Sequence, residues 1–186
     1  MSRIPGLSLT WLQKAAGAVA LGVLLAWSPA QAGTTGEVVI GQTLREASLL
    51  GLNGPPRRLS EFRGKPMVIN VWASWCGPCR AETASLERLA WSDAGRHFAV
   101  IGISTDDDQH TALTWLKQSN ATISHFIDER LLMEHMLGAT HLPLTVLVDA
   151  QGRVLEKVYG AKAWDEAEAL KLIAKAFRNP AIAPKR

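Results

Sequence analysis

Val71-Trp72-Ala73-Ser74-Trp75-Cys76-Gly77-Pro78-Cys79-Arg80-Ala81-Glu82 decides the reading of this chain, because it holds both cysteines at the spacing of a redox-active pair. The apolar run Met67-Val68-Ile69-Asn70-Val71-Trp72 just before them reads as a buried strand, and Pro78 to Ala94 reads as a helix. Cys76 therefore falls at a helix N-terminus. Unpaired backbone N–H groups and the positive end of the helix dipole stabilise a thiolate there, lowering a thiol pKa from about 8.5 toward roughly 3.5 to 7.5. Cys79 lies one turn later on the same face, where it can resolve a mixed disulfide formed at Cys76.

Two cysteines in 186 residues do not make a stabilising framework, and a bridge closing so short a loop removes little unfolded-state entropy. The pair is chemical rather than structural. A composition of 47% hydrophobic and 20% charged residues fits one globular domain with a sizeable core. Arg3 and Lys14 flank an uncharged apolar stretch from Ala15 to Trp27, followed by Ser28-Pro29-Ala30-Gln31-Ala32, whose Ala-x-Ala exit suits signal peptidase. Cleavage is expected after Ala32. The alternative is an uncleaved tether, although the apolar run is shorter than the ~20 residues that span a bilayer. No cysteine stands near residue 32, which excludes a bacterial lipid anchor. Removing Arg3 and Lys14 from 20 basic residues leaves 18 against 17 acidic ones, so nothing argues for nucleic acid. Export places the cysteine pair in an oxidising compartment, the periplasm if the host has one.

Four segments are expected: a cleavable leader over 1–32, an N-terminal extension with a hairpin over 33–57, the main domain over 58–178 and a tail over 179–186. The turn Asn53-Gly54-Pro55-Pro56 punctuates the extension. Phe98 to Ser104 reads as a second buried strand, and Asp106-Asp107-Asp108 supplies capping for a helix through Trp115-Leu116. Ser124–Ile127 reads as a short strand and Leu131–Leu137 as a short helix. Pro143 to Val148 and Arg153 to Tyr159 form a hairpin about Asp149-Ala150-Gln151-Gly152. A last helix over Trp164–Arg178 presents Leu170, Ile173, Ala174 and Phe177 as one stripe. These elements imply an α/β fold with a mixed sheet covered on both faces.

From Ile40 to Phe177 the chain resembles the thioredoxin superfamily, and within it the exported TlpA/ResA-like thiol-disulfide oxidoreductases. The quoted cysteine stretch carries the resemblance, supported by Leu59 to Pro66 and by Gly138-Ala139-Thr140-His141-Leu142-Pro143-Leu144-Thr145. It implies a thioredoxin-like fold with a strand-helix insertion between Ile103 and Leu137. Cys76 matches the exposed nucleophile, Cys79 the buried resolving cysteine, and the only cofactor implied is their disulfide. Pro143 matches a cis-proline facing it, and Leu142 the variable residue before that proline. Trp75, Gly77, Pro78, Leu142 and Pro143 are thereby implied in substrate contact, while Trp72 belongs to the core. Glu82 matches a glutamate beneath the site that can accept the Cys79 proton; burial would raise its pKa into a useful range. Asn70 stands where thioredoxin has a proton-relaying aspartate, a job Asn cannot do, and Ala84 stands where the family usually kinks the helix with proline.

Trp91, Trp115 and Trp164 carry only a packing reading, and His97, His110, His125, His135 and His141 are read as satisfied surface or core residues without metal-ligand spacing. The implied activity is reduction of protein disulfides, for example those of apocytochrome c, by a monomer that a membrane electron donor recharges. Gly77-Pro78 lacks the histidine of the strongly oxidising DsbA type, which favours the reductant. The rivals are a thiol oxidant or isomerase, and a copper-handling module that uses the thiols as soft ligands.

Overall fold

The structure, a computed structural model, describes residues 36–184, so the expected leader and its cleavage point lie outside the described residues. Its strands are β1 (Ser48–Gly51), β2 (Arg57–Arg58), β3 (Met67–Trp72), β4 (Ala99–Ser104), β5 (Ser124–Ile127), β6 (Leu144–Val148) and β7 (Val154–Tyr159). The helices are α1 (Gly77–Trp91), α2 (Gln109–Gln118), α3 (Leu132–Leu137) and α4 (Ala167–Ala176). Together they form the thioredoxin-like α/β fold, with one seven-stranded mixed sheet of order β2-β1-β5-β4-β3-β6-β7.

Strand β3 is central because every one of its side chains is buried. It pairs in parallel with β4 and antiparallel with β6, and α1 and α2 make the crossovers that parallel neighbours require. Side chains alternate across the pleat. Met67, Ile69 and Val71 join Met133, Met136 and Leu137 of α3 in one core, whereas Val68 packs with Leu86 and Leu89 of α1 and Ile173 of α4. The alternation puts Asn70 on the α1 face. Trp72 continues that face into a third cluster with Ala112, Trp115 and Leu116 of α2 and with both cysteines.

Several boundaries differ from the sequence reading for physical reasons. Helix α1 ends at Trp91, and Ala94–His97 form a separate 3-10 turn. Gly95 permits the close crossing there, since a Cβ would lie 2.2 Å from the Ala90 carbonyl oxygen. Helix α4 starts at Ala167 rather than Trp164, because the Trp164 backbone N–H is held by Ser85 Oγ at 3.1 Å. Trp91 is not packed but 73% exposed, its indole N–H donating to Thr122 Oγ1.

The hairpin β1–β2 exists, and β1 also pairs with β5, so it widens the main sheet. Ahead of it, residues 36–44 run beside β7. The Leu44 N–H donates to the Gly152 carbonyl, the Gly41 N–H to the Val154 carbonyl and the Val38 N–H to the Met136 carbonyl, each at 2.8 Å. Buried Val38 and Leu44 fix this strap to the α3-side core.

Candidate active site

Cys76 is the N-cap of α1 and is disulfide-bonded to Cys79, with the two Cα atoms 5.3 Å apart. Pro78 occupies the first turn, where its fixed φ suits a helix start and its missing N–H removes no intrahelical bond. The Cys79 backbone N–H donates to Cys76 Sγ at 3.2 Å. Cys76 is 5% exposed in this oxidised state and Cys79 1%, so both are buried and the first is more covered than the exposed nucleophile the resemblance implies. Gly77 and Pro78 are exposed beside it, and Trp75 stands out at 72% exposed.

The Leu142–Pro143 peptide bond is cis. Leu142 is half-buried and packs against both the α3-side core and the cluster that contains the cysteines. Tyr159, opposite Leu144 on β7, donates its hydroxyl to the Gly138 carbonyl at 2.7 Å, and the Gly160 N–H donates to the Pro143 carbonyl at 2.9 Å.

Glu82 lies one turn beyond Cys79, fully buried, with Asn70 opposite on β3. Its Oε1 accepts from Asn70 Nδ2 at 2.7 Å, and its Oε2 accepts from Trp164 Nε1 at 3.0 Å and from the Lys162 N–H at 3.1 Å. Burial raises the Glu82 pKa above the usual carboxylate range, while these three hydrogen bonds oppose the shift. Asn70 Nδ2 also donates to Thr145 Oγ1 at 3.1 Å, tying the carboxylate to the strand that follows Pro143. Asn70 is thus a hydrogen-bond bridge rather than a proton relay. Helix α1 continues through Ala84.

A second carboxylate acts on the loop before the nucleophile. Asp106 is buried; its carboxylate accepts from the Ser74 N–H at 2.9 Å, from Ser74 Oγ at 2.6 Å and from Ser104 Oγ at 2.7 Å. Of the three consecutive aspartates only Asp108 caps α2, accepting from the His110 and Thr111 N–H groups. From the sequence alone the whole run reads as capping. A helix needs one N-cap, and the redundancy of the run was the available signal that another aspartate was free for a different partner.

His125 also departs from expectation. It is buried edge-on to Trp72, 5.4 Å between ring centroids, and both ring nitrogens and Trp72 Nε1 lack hydrogen-bond partners. Burial pushes its pKa down to about 4, so it is neutral near pH 7. His141 is exposed beside Thr140. Among the described residues no cluster of three or more His, Cys, Asp or Glu side chains could hold a metal ion.

A strand-loop-helix unit with a Cys-x-x-Cys disulfide at the helix start, and a cis-proline loop whose Leu142 packs against the cysteine cluster, defines a thiol-disulfide oxidoreductase of the thioredoxin superfamily. The Redoxin family model matches residues 39–173, and the chain belongs to that family. It is 34% identical over 134 residues to the thiol:disulfide interchange protein DsbE of Pseudomonas aeruginosa, covering 69% of this chain and 72% of that one. It is 24% identical over 131 residues to the thiol-disulfide oxidoreductase ResA of Geobacillus kaustophilus, covering 70% and 75%. The fold superposes on a secreted Mycobacterium tuberculosis disulfide oxidoreductase homologous to Escherichia coli DsbE with a TM-score of 0.58, 23% identity and coverage of 70% and 93%.

Proposed function

We propose that this oxidoreductase is an exported, periplasmic reductant of protein disulfides, released by cleavage after Ala32 and recharged by a membrane electron donor. The observation that carries the proposal is Cys76 Sγ at the α1 N-cap, accepting the Cys79 N–H, beside an exposed indole. In the reduced protein the Cys76 thiolate attacks one sulfur of a client disulfide. One S–S bond forms as the other breaks, and the client's second sulfur leaves as a thiolate that takes up a proton. Cys79 then loses its proton toward Glu82 and attacks Cys76, releasing the client as a dithiol and leaving the Cys76–Cys79 disulfide. Two electrons pass to the client, and the donor returns them.

Exposed Trp75, Gly77 and Pro78 and half-buried Leu142 form the surface that meets the client, with Pro143 buried beneath it. Direction follows from relative potentials, about 30 mV per ~1.4 kcal/mol for two electrons. The Gly77-Pro78 dipeptide supports reduction, since it adds no imidazole to overstabilise the Cys76 thiolate. The assay is a Cys79→Ser trap expressed in an exporting host. It is expected to accumulate client proteins joined to Cys76 through a bond that dithiothreitol cleaves, whereas Cys76→Ser/Cys79→Ser accumulates none. Equal capture by both variants refutes the exchange mechanism. Capture of copper instead, at one ion per reduced protein with loss in the double variant, would replace it with the metal-handling reading.

A further inference from the structure

We propose that the N-terminal strap is part of the client-binding apparatus, with the Glu37–Lys157 ion pair positioning the Gly138–Pro143 loop against a protein substrate. The proposal rests on the exchange reaction with protein disulfides set out above and adds to it a pair of positioning residues far from the sulfurs in sequence.

Three observations converge. First, the direction of the strap is set by its pairing partners: read backward from Leu44 beside Gly152, through Gly41 beside Val154, it reaches Glu37 on Lys157. It therefore runs along β7 toward Tyr159, the end paired with Leu144 next to the cis-proline. Second, Glu37 Oε1 meets Lys157 Nζ at 2.5 Å, with the side chains only 15% and 9% exposed. A largely buried pair is held in one geometry, because separating two poorly solvated charges forfeits their mutual attraction. Third, the Glu37 carboxyl lies directly on Gly138. A Cβ at Gly138 would sit 2.3 Å from Glu37 Cδ, and Gly138 has a φ of +72°, so glycine answers both the close approach and the left-handed backbone.

Gly138 is the hinge between α3 and the loop. It ends α3, its carbonyl accepts from Tyr159 Oη and from the Thr140 N–H, and four residues later Leu142, which precedes Pro143, packs against the cluster that contains the cysteines. The loop is thus gripped at its far end by Gly160 on the Pro143 carbonyl and at its near end by Tyr159 and Glu37. The contacts described for this pair, with each other and with Gly138, are at the strap and the end of α3. Loosening the near grip should therefore spare sulfur chemistry and weaken the docking of a polypeptide along the loop.

The test compares two disulfides of different size on the reduced protein: insulin, whose chains must lie against the loop, and 5,5′-dithiobis(2-nitrobenzoate), which needs only an accessible Cys76. Glu37→Gln/Lys157→Met removes both charges together and is expected to raise KM for insulin about tenfold, the factor that ~1.4 kcal/mol of lost contact corresponds to. The aromatic disulfide should react within about twofold of wild type, a difference of only ~0.4 kcal/mol. If the double variant does not fold, Glu37→Gln alone decides, because its amide oxygen still accepts from Lys157; a smaller rise in KM confined to insulin is expected. Equal effects on the two disulfides, or none on either in a folded variant, overturn the proposal. Wild-type protein that reduces the aromatic disulfide but neither insulin nor any other protein disulfide overturns the client reading itself.

Discussion

Asp106→Ala should be the most damaging single change around the site that leaves every reacting atom in place. The carboxylate accepts three hydrogen bonds, two from Ser74 and one from Ser104. A hydrogen bond to a charged group contributes about 1.5–3 kcal/mol net. Ser104 is wholly buried, so its hydroxyl loses the full amount. Ser74 is half-buried and water replaces about half of the share of its two bonds, giving a total of about 3–6 kcal/mol. For a domain of this size 1 kcal/mol shifts Tm by about 2–4 °C, so a fall on the order of 10 °C is expected. Calorimetric melting of the oxidised protein near pH 7 measures it directly, with Ser74→Ala as a partial control that keeps the charge and loses one bond. A melt within about 2 °C of wild type for Asp106→Ala would refute the clamp, since even one unsatisfied buried hydroxyl costs about 1–3 kcal/mol.

Glu82→Gln changes the pH dependence of stability. Burial lifts the folded-state pKa above its ordinary value, so the folded protein holds this proton where the unfolded chain has released it, and stability falls as pH rises through that window. Denaturant melts from about pH 4 upward should show the variant gaining on wild type with rising pH; parallel curves would contradict it. His125 gives the opposite slope. With a folded pKa of about 4 against an ordinary 6.5, its contribution is fully present above pH 6.5 and is lost as pH falls toward 4. His125→Leu should remove that slope, and a wild-type stability flat between those limits would exclude it. Trp75→Ala, by contrast, should alter Tm little because the ring is exposed, yet raise KM for insulin; an unchanged KM would remove the indole from client contact.

Much of this architecture is legible because it is local. Met67–Trp72 is an uninterrupted apolar run ended by a small-residue loop, and the strand occupies those six residues. Ser124–Ile127 likewise begins and ends where its composition changes. The mixed sheet follows from the order of elements, and the Cys-x-x-Cys pair announces the chemistry. What the sequence conceals is long-range pairing of polar groups. Glu82 is one position on a helix until Trp164 and Lys162, eighty residues away, supply donors to it. Asp106 looks like a cap because caps are set within three residues, whereas Ser74 is 32 residues distant. Glu37 and Lys157 are separated by 120 positions, and nothing in either neighbourhood marks the other. Trp91 illustrates the converse: an aromatic near a helix end reads as packing, but the helix ends there and leaves the ring exposed.

The shape of the surface restricts what the site can meet. A cleft of about 1080 Å³ opens at the other end of β3, between β7 and α4, lined by Pro66, Leu155, Leu172 and Phe177 among others and by no residue of the site. At the cysteines the surroundings are instead an exposed indole, exposed Gly77 and Pro78, and a half-buried Leu142. Small-molecule sites enclose most of their ligand, whereas exposed groups of this kind offer a rim along which a polypeptide segment can lie. On the proposed function a client brings its disulfide on a segment that reaches Cys76, and discrimination between clients falls to the rim. Rigidity of that rim lowers the ordering cost of binding. The Asp106 clamp beneath Ser74, the Glu82–Asn70–Thr145 bridge beneath the cysteines and the Glu37 contact beneath Gly138 each fix one side of it, which is why buried polar groups, costly to place in a core, converge on this end of the sheet.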